Sequence, residues 1–349
     1  MKQNILNFTL DELTELLVAN NFKKFNAIQI FQWIYKKRVN SFNEMTNLSK
    51  QLILFLNENF EFHTLNVKKF QLDPIDETTK FLFELSDGNL IETVLMKFDY
   101  GLSVCVTTQV GCNMGCKFCA SGLLKKKRNL SAYEIVSQIY SVQKYLDTKN
   151  KNERISNIVV MGIGEPFDNL VEVIKFIRII NNDNGLQIGW RKITVSTCGL
   201  VNKFEEWQTQ MPQVGLAISL HAPNDEIRNK IMPINRAFNL EKLMDAVKKY
   251  IIATNRRITF EYIMLADVND SIECAKQLVK LLDNVLCYVN LIPYNSVKEN
   301  EFKRSEKVKE FANYLTKHHI QVTIRQEKGR KIDAACGQLR AKNIEVKNA

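Results

Sequence analysis

SVCVTTQVGCNMGCKFC, residues 103–119, is a short apolar run that breaks into a loop carrying three cysteines. Ser103 to Thr108 is rich in β-branched residues and reads as a buried strand. Cys112, Cys116 and Cys119 follow at Cys-x3-Cys-x2-Cys spacing, with Gly111 and Gly115 permitting tight turns. Eight cysteines in 349 residues would produce three at a fixed spacing by chance less than about one time in two hundred. Three neighbouring thiolates need a cation to relieve their repulsion. Structural zinc takes four ligands, usually from paired Cys-x2-Cys knuckles, and the sequence has no second knuckle. A four-iron cluster held by three thiolates leaves one iron with an open site. Zinc and cluster both remain open on these residues, but only the cluster explains a set of three.

Outward from this stretch, strands alternate with amphipathic helices. After Ser103 to Thr108, strands are expected at Ile155–Met161, Lys192–Ser196, Val214–Leu220, Ile258–Met264, Tyr288–Ile292 and Gln321–Ile324. Helices are expected at Ala132–Leu146, Leu170–Ile180, Leu240–Ala253, Ser271–Leu282 and Ser305–Lys317. This order predicts βα units, a mainly parallel sheet, and functional loops at the carboxyl ends of its strands. The suggestive residues fall at that rim: the cysteine loop, Gly164 and Glu165, Ser196, Ser219 to His221, and Asn295.

Upstream, helical periodicity marks Leu10–Ala19, Ala27–Lys37 and Leu48–Asn57. Strand-like runs follow at Phe62–Gln71, Lys80–Leu85 and Leu90–Met96, the last two joined through a Ser86-Asp87-Gly88-Asn89 hairpin turn. The expected organisation is an N-terminal accessory part at 1–97, a core at 98–335 and a C-terminal segment at 336–349. The composition, 45% hydrophobic and 25% charged, is that of a soluble globular chain, and the net charge of +10 favours an acidic partner such as nucleic acid. Apolar runs such as Leu52 to Leu56 are too short to cross a bilayer. No signal-peptide pattern opens the sequence, and closely spaced cysteines suit a reducing compartment, so a cytoplasmic protein is expected.

Cys-x3-Cys-x2-Cys with Phe118 before the last cysteine resembles the signature of the radical S-adenosylmethionine superfamily. The resemblance implies a partial (βα)6 barrel and a 4Fe–4S cluster on Cys112, Cys116 and Cys119. The open iron would hold S-adenosylmethionine and drive its cleavage to a 5′-deoxyadenosyl radical. Met161-Gly-Ile-Gly-Glu-Pro166 resembles the motif that holds the cofactor's amino group, through Gly164 and Glu165. A carboxylate suits an ammonium group, and glycine permits close approach. Ser196, Ser219, Leu220, His221 and Asn295 resemble further cofactor contacts.

Over nearly its whole length the chain resembles the RlmN family of RNA adenine C2-methyltransferases. The residues that carry this are Gln109 to Cys112, Gly164 to Pro166, Ser219 to Pro223, Met232 to Asn235, Val268 to Ser271 and Asp333 to Gln338. The resemblance implies 23S ribosomal RNA and transfer RNA as substrates, with an electron donor such as flavodoxin and a monomeric enzyme. It implies that Cys336 is first methylated and then carries the methyl as a radical to adenine C2. Cys105 would help remove the C2 proton and then resolve the protein–RNA adduct through a transient disulfide, and Glu92 would be the proton acceptor. Cys198, Cys274 and Cys287 match no motif position and are taken as structural.

Two basic runs, Lys125 to Arg128 and Arg325 to Lys331, flank these motifs, and Lys36, Lys37 and Arg38 lie in the N-terminal part. All three are candidate phosphate contacts. Two other functions compete. One is the C8-methylating, antibiotic-resistance paralogue, against which Pro166 speaks. The other is a non-catalytic RNA-binding protein with a zinc or iron–sulfur site.

Overall fold

The alternation of strand and helix produces a sheet in strict chain order. The computed structural model describes residues 2–150, 152–297, 300–334 and 337–339. Strands β1 (Asn66–Leu72), β2 (Thr79–Glu84), β3 (Leu90–Phe98) and β4 (Gly101–Cys105) pair antiparallel. From β4 onward the pairing is parallel, through β5 (Ile155–Val160), β6 (Ile193–Thr197), β7 (Gly215–Ser219), β8 (Ile258–Met264), β9 (Cys287–Pro293) and β10 (Val322–Ile324). Each strand neighbours the next, and β1 and β10 are the two edges.

The N-terminal helices are α1 (Leu10–Ala19), α2 (Lys24–Gln32) and α3 (Lys50–Asn59). Six helical connections then return the chain between parallel strands. They are α4 (Ala132–Lys149), α5 (Leu170–Asn181), α6 (Phe204–Gln210), α7 (Asp225–Ile231) with α8 (Leu240–Thr254), α9 (Ile272–Leu281) and α10 (Val308–Lys317). The architecture is an open α/β barrel of six strand–helix units completed by a seventh parallel strand. Its helices begin where the sequence caps them: Ser131 with Glu134 forms a capping box on α4, and Ser271 accepts from Cys274 N–H on α9. On α10 the buried set is Val308, Phe311, Ala312 and Leu315, at helical spacing. Burying each of its larger apolar side chains contributes about 1.5–3 kcal/mol before entropy.

The N-terminal helices share the barrel's hydrophobic core, with Phe31 and Leu52 in one cluster with Ile135 and Ile139. The Tyr140 hydroxyl donates to Val39 O (2.8 Å), and Arg38 pairs with Asp147. Arg38 is thus spent on an internal contact. The helix expected at Ala27–Lys37 instead begins at Lys24, and its last turn widens into a π turn over Trp33–Lys37 that ends at Arg38. The strand expected from Phe62 starts at Asn66. Helices α6 and α7 escaped the periodicity because seven residues are only two turns. Among the described residues, no helix is long and apolar enough to cross a membrane.

Candidate active site

The cysteine loop leaves the carboxyl end of β4. A two-residue ladder, Gln109–Val110 against Arg128–Asn129, closes its base, and Cys112 N–H donates to Leu124 O (2.8 Å). Gly111 sits at φ +78°, where an added Cβ would overlap the Lys125 carbonyl, so only glycine fits. Lys117 N–H donates to Ile231 O (3.0 Å) at the end of α7, and Phe118 meets His221 edge-on with centroids 4.7 Å apart. The three thiols line one cavity with Gly164, Glu165, Ser196, Ser219 and His221. Its space free of protein atoms, open mouth included, is about 960 Å³.

Among the described residues, no three ligating side chains converge closely enough to share one ion. The thiols instead surround a space, as a multi-iron cluster requires, since each thiolate binds a different iron. The donor set therefore fits a cluster. Burial, reinforced by Glu165 and Cys119, pushes the Cys112 thiol up to about 12, and Cys116 is raised still more clearly. Metal binding there must displace protons.

Gly164, at φ +110°, lies where a Cβ would meet the Gln109 side chain at 2.7 Å. Next to it, Glu165 is a buried hub. Its Oε1 accepts from the Thr197 hydroxyl (2.7 Å) and Phe167 N–H (3.0 Å), and its Oε2 accepts from Cys198 N–H (2.8 Å). Burial raises its pKa, and these donors pull the other way. A carboxylate has about four acceptor sites, so most of this one is spent tying the end of β5 to the end of β6.

His221 adopts φ +58°, an uncommon backbone for a non-glycine residue. Its Nδ1 accepts from Ile263 N–H (3.0 Å), and burial lowers its pKa to about 3. The ring is neutral, with its proton on Nε2. Arg228, fully buried on α7, donates to Leu220 O (3.2 Å), Cys198 O (2.8 Å) and Ser219 O (3.3 Å), clamping the ends of β6 and β7. Glu261, in the middle of β8, also faces the cavity and accepts from Asn290 Nδ2 (2.9 Å). Burial raises its pKa, against the pull of Arg325.

A second cavity adjoins the first, sharing Met161, Ile292, Arg325 and Leu339 with it. Its floor is the face of the antiparallel strands. Leu82 registers with Glu92, and Val94 with both Lys80 and Cys105, so Lys80, Glu92, Val94 and Cys105 share one face. Lys328, Ala334 and Leu339, from the described residues near the C-terminal end, help to wall it. Gly329 N–H donates to Asp76 Oδ2 (2.9 Å), Lys331 N–H to Asp73 Oδ2 (3.0 Å), and Lys80 Nζ to Asp333 O (3.3 Å). Farther on, Gly337 O accepts from Ala120 N–H (2.8 Å), and Leu339 O from the Ser121 hydroxyl (3.1 Å). Cys336 lies outside the described residues. Its flanks are anchored to the β1–β2 turn on one side and to the cysteine loop on the other.

Residues 3–62 match the ribosomal RNA large subunit methyltransferase N-terminal domain, and residues 106–281 match the radical SAM superfamily. A Malacoplasma penetrans protein named "Probable dual-specificity RNA methyltransferase RlmN" is 55% identical, covering 100% of this chain and 99% of its own. A Streptococcus gordonii protein of the same name is 56% identical over 99% of this chain and 96% of its own. The chain belongs to the RlmN family. A crystal structure of a radical SAM methyltransferase from Sphaerobacter thermophilus superposes with a TM-score of 0.92 at 39% identity, covering 97% of this chain and 100% of that one.

As in the sequence-based expectation, the three cysteines, Gly164, Glu165, Ser196, Ser219 and His221 of this RlmN-family chain meet in one cavity. Leu220 does not line it. Its side chain is buried in the main core and its N–H donates to Glu261 O (3.1 Å). Asn295 lines the second cavity, whose wall also includes Cys105. Glu92, in a hairpin strand whose side chains usually face solvent, is 2% exposed and paired with Lys80 at 3.2 Å. Two basic residues expected at a phosphate surface have internal partners: Lys126 pairs with Asp168 (2.7 Å), and Arg128 with Asp87 (2.6 Å) and Glu134 (2.8 Å). Sequence reasoning passed over Arg228, Glu261 and Lys80. A charge inside an apolar strand run was the available signal for Glu261 and Lys80. Arg228 gave none, because its partners are backbone carbonyls of several loops together with Asn235 Oδ1 (2.8 Å), a set that has no sequence pattern.

Proposed function

We propose that this chain is a radical S-adenosylmethionine methyltransferase that modifies C2 of adenosine in 23S ribosomal RNA and in transfer RNA. The observation that carries the reading is the shared wall of the two cavities. It puts the three-cysteine site next to a face that bears Cys105 and Glu92 and is covered by the segment leading into Cys336. Cys112, Cys116 and Cys119 would hold a 4Fe–4S cluster, and Gly164, Glu165, Ser196, Ser219, Leu220, His221 and Asn295 the S-adenosylmethionine or the walls around it. Once bound, this pair supplies one-electron chemistry able to remove hydrogen from an unactivated methyl group. That chemistry is needed because C2, between two ring nitrogens, is too electron-poor to attack a methyl cation donor.

The protein's own residues do the rest. Cys336 carries the methyl group as a thioether and presents it to the base. Glu92 accepts the proton leaving C2, and Cys105 releases the linked RNA by forming a disulfide with Cys336. Buried apolar walls at Val94 and Ile292 keep water from the site. Residues 1–97 serve as the RNA-gripping accessory part, 98–335 as the catalytic core and 336–349 as the segment opened by the methyl-carrying thiol. The protein works as a cytoplasmic monomer with an external donor of the flavodoxin type.

The deciding experiment incubates the reconstituted protein anaerobically with a reductant, S-adenosylmethionine and 23S RNA fragments or transfer RNA, then locates the added methyl by mass spectrometry. Methyl at C2 is expected. Methyl at C8 would place the chain with the resistance paralogue, and RNA binding without methylation would leave the non-catalytic reading.

A further inference from the structure

Lys80 occupies a position where a lysine needs a reason. It is the second residue of β2, is 6% exposed, and lies on the face that carries the second cavity. Buried lysines are rare because an ammonium loses its hydration, and they persist where acceptors replace the water. Two acceptors do so here. Glu92 Oε1 lies 3.2 Å from Nζ, and Asp333 O 3.3 Å. One belongs to the neighbouring strand, and the other to the segment 253 positions farther along. Replacing a buried ion pair by apolar side chains is often neutral or stabilising. The sheet therefore gains little from this pair as a fold element, and its value lies in the geometry it fixes.

That geometry is specific. Val94 is the register partner of Lys80 on one side and of Cys105 on the other, so ammonium and thiol stand in one cross-strand row, with Glu92 next along β3. The Thr107 hydroxyl donates to Glu92 O (2.6 Å), and Gln138 accepts from both the Thr93 hydroxyl and Thr107 N–H. The backbone beneath Glu92 is thereby pinned, and the carboxylate is left to be aimed by its side-chain contacts.

We propose that Lys80 is a positioning residue of the methyl transfer, holding the Glu92 carboxylate and the backbone leading into Cys336 in one fixed relation. The inference rests on the reading of Glu92 as proton acceptor given above. One ammonium serves both partners: it orients a carboxylate in an apolar setting and docks the segment that brings the methyl-carrying thiol.

The test uses full-length, cluster-loaded protein with a 23S RNA fragment, and measures kcat for RNA methylation across the pH range in which the protein stays folded. Lys80→Met is expected to lower kcat about ten- to a hundredfold, the equivalent of one charge-assisted hydrogen bond. Iron content and S-adenosylmethionine affinity stay unchanged. The acid limb of its profile moves to higher pH, because a buried carboxylate deprived of its cation holds a proton more tightly. Lys80→Arg returns the limb to its original place. If Lys80→Met does not assemble the cluster, Lys80→Gln, which keeps a donor without the charge, takes its place with the same expected shift. A wild-type kcat, a loss uniform in pH, or a limb that Lys80→Arg leaves displaced would overturn the proposal. Glu92→Gln separates the two levels: full activity there removes the proton-acceptor reading itself, whereas an inactive Glu92→Gln beside an unshifted Lys80→Met removes only the role of Lys80.

Discussion

The two cavities touch, yet they are built by opposite means. The cysteine cavity is made of loops at the carboxyl ends of parallel strands, and its residues arrive in short consecutive motifs: 112–119, 162–165, 219–221. The second cavity rests on a strand face, with Val94, Met96 and Phe98 of β3 and Cys105 of β4 in its wall, and Lys80 and Glu92 share that face by register beneath a segment near residue 333. A loop can be exchanged without disturbing the sheet, so loops suit the binding of a ligand. A strand face fixes spacings by register, which suits groups that must act on one another.

The comparison is broken most severely by cysteine substitution. Alanine at any one of Cys112, Cys116 or Cys119 is expected to abolish cluster assembly and all activity, read by iron content and visible absorbance. Alanine at Cys105 should leave the cluster intact and stop the reaction later. Because Cys336 can still be methylated and linked to RNA, a covalent protein–RNA adduct accumulates in Cys105→Ala and never in Cys336→Ala. Denaturing gels with and without ribonuclease display it. A Cys105→Ala protein that turns over without adduct would make the second cavity a mere packing face.

A smaller effect is expected at Glu165. Glu165→Gln keeps the volume but sets an amide nitrogen among groups that are all donors, Thr197, Phe167 and Cys198. Losing a charge-assisted bond in such a place costs about 1.5–3 kcal/mol, so S-adenosylmethionine affinity falls roughly ten- to a hundredfold with the cluster retained. Equilibrium binding checks this, and unchanged affinity would mean that the loop is held without the carboxylate.

The smallest effect at neutral pH belongs to His221. Its folded pKa of about 3 lies below the ordinary value of 6.5. The unfolded chain therefore binds a proton that the folded one refuses. The stabilisation is complete above about pH 6.5 and is withdrawn as pH falls toward 3, at no more than about 1.4 kcal/mol per pH unit. Denaturant unfolding of the protein and of His221→Asn at several pH values tests it: the variant should lack this part of the slope.

The same contrast explains what was legible in the sequence. The parallel strands and the rim could be placed because each motif sits beside its own strand, and Ile258–Met264 was expected with the bounds it has. The cysteine spacing pointed to a cluster site because its candidate ligands are local. Lys80 with Glu92 could not be paired from sequence, since their contact depends on the β2–β3 register and on a carbonyl 253 positions away. Glu165 was expected to face a ligand, and its bonds to Thr197 and Cys198 depend on how β5 and β6 end side by side. The roles proposed for Cys336, Cys105 and Glu92 rest on family resemblance, because a lone thiol or carboxylate has no pattern of its own.

The bonds from Asp73, Asp76 and Lys80 to residues 329–333 also bear on how the protein comes to be made. Chains emerge from the ribosome amino end first, and a contact spanning some 250 positions must wait for its second half and meet the entropy of closing a very long loop. The cover of the second cavity is synthesised after all ten strands. The barrel can therefore be complete while that face is still bare, and the methyl transfer proposed above has to wait until that segment docks.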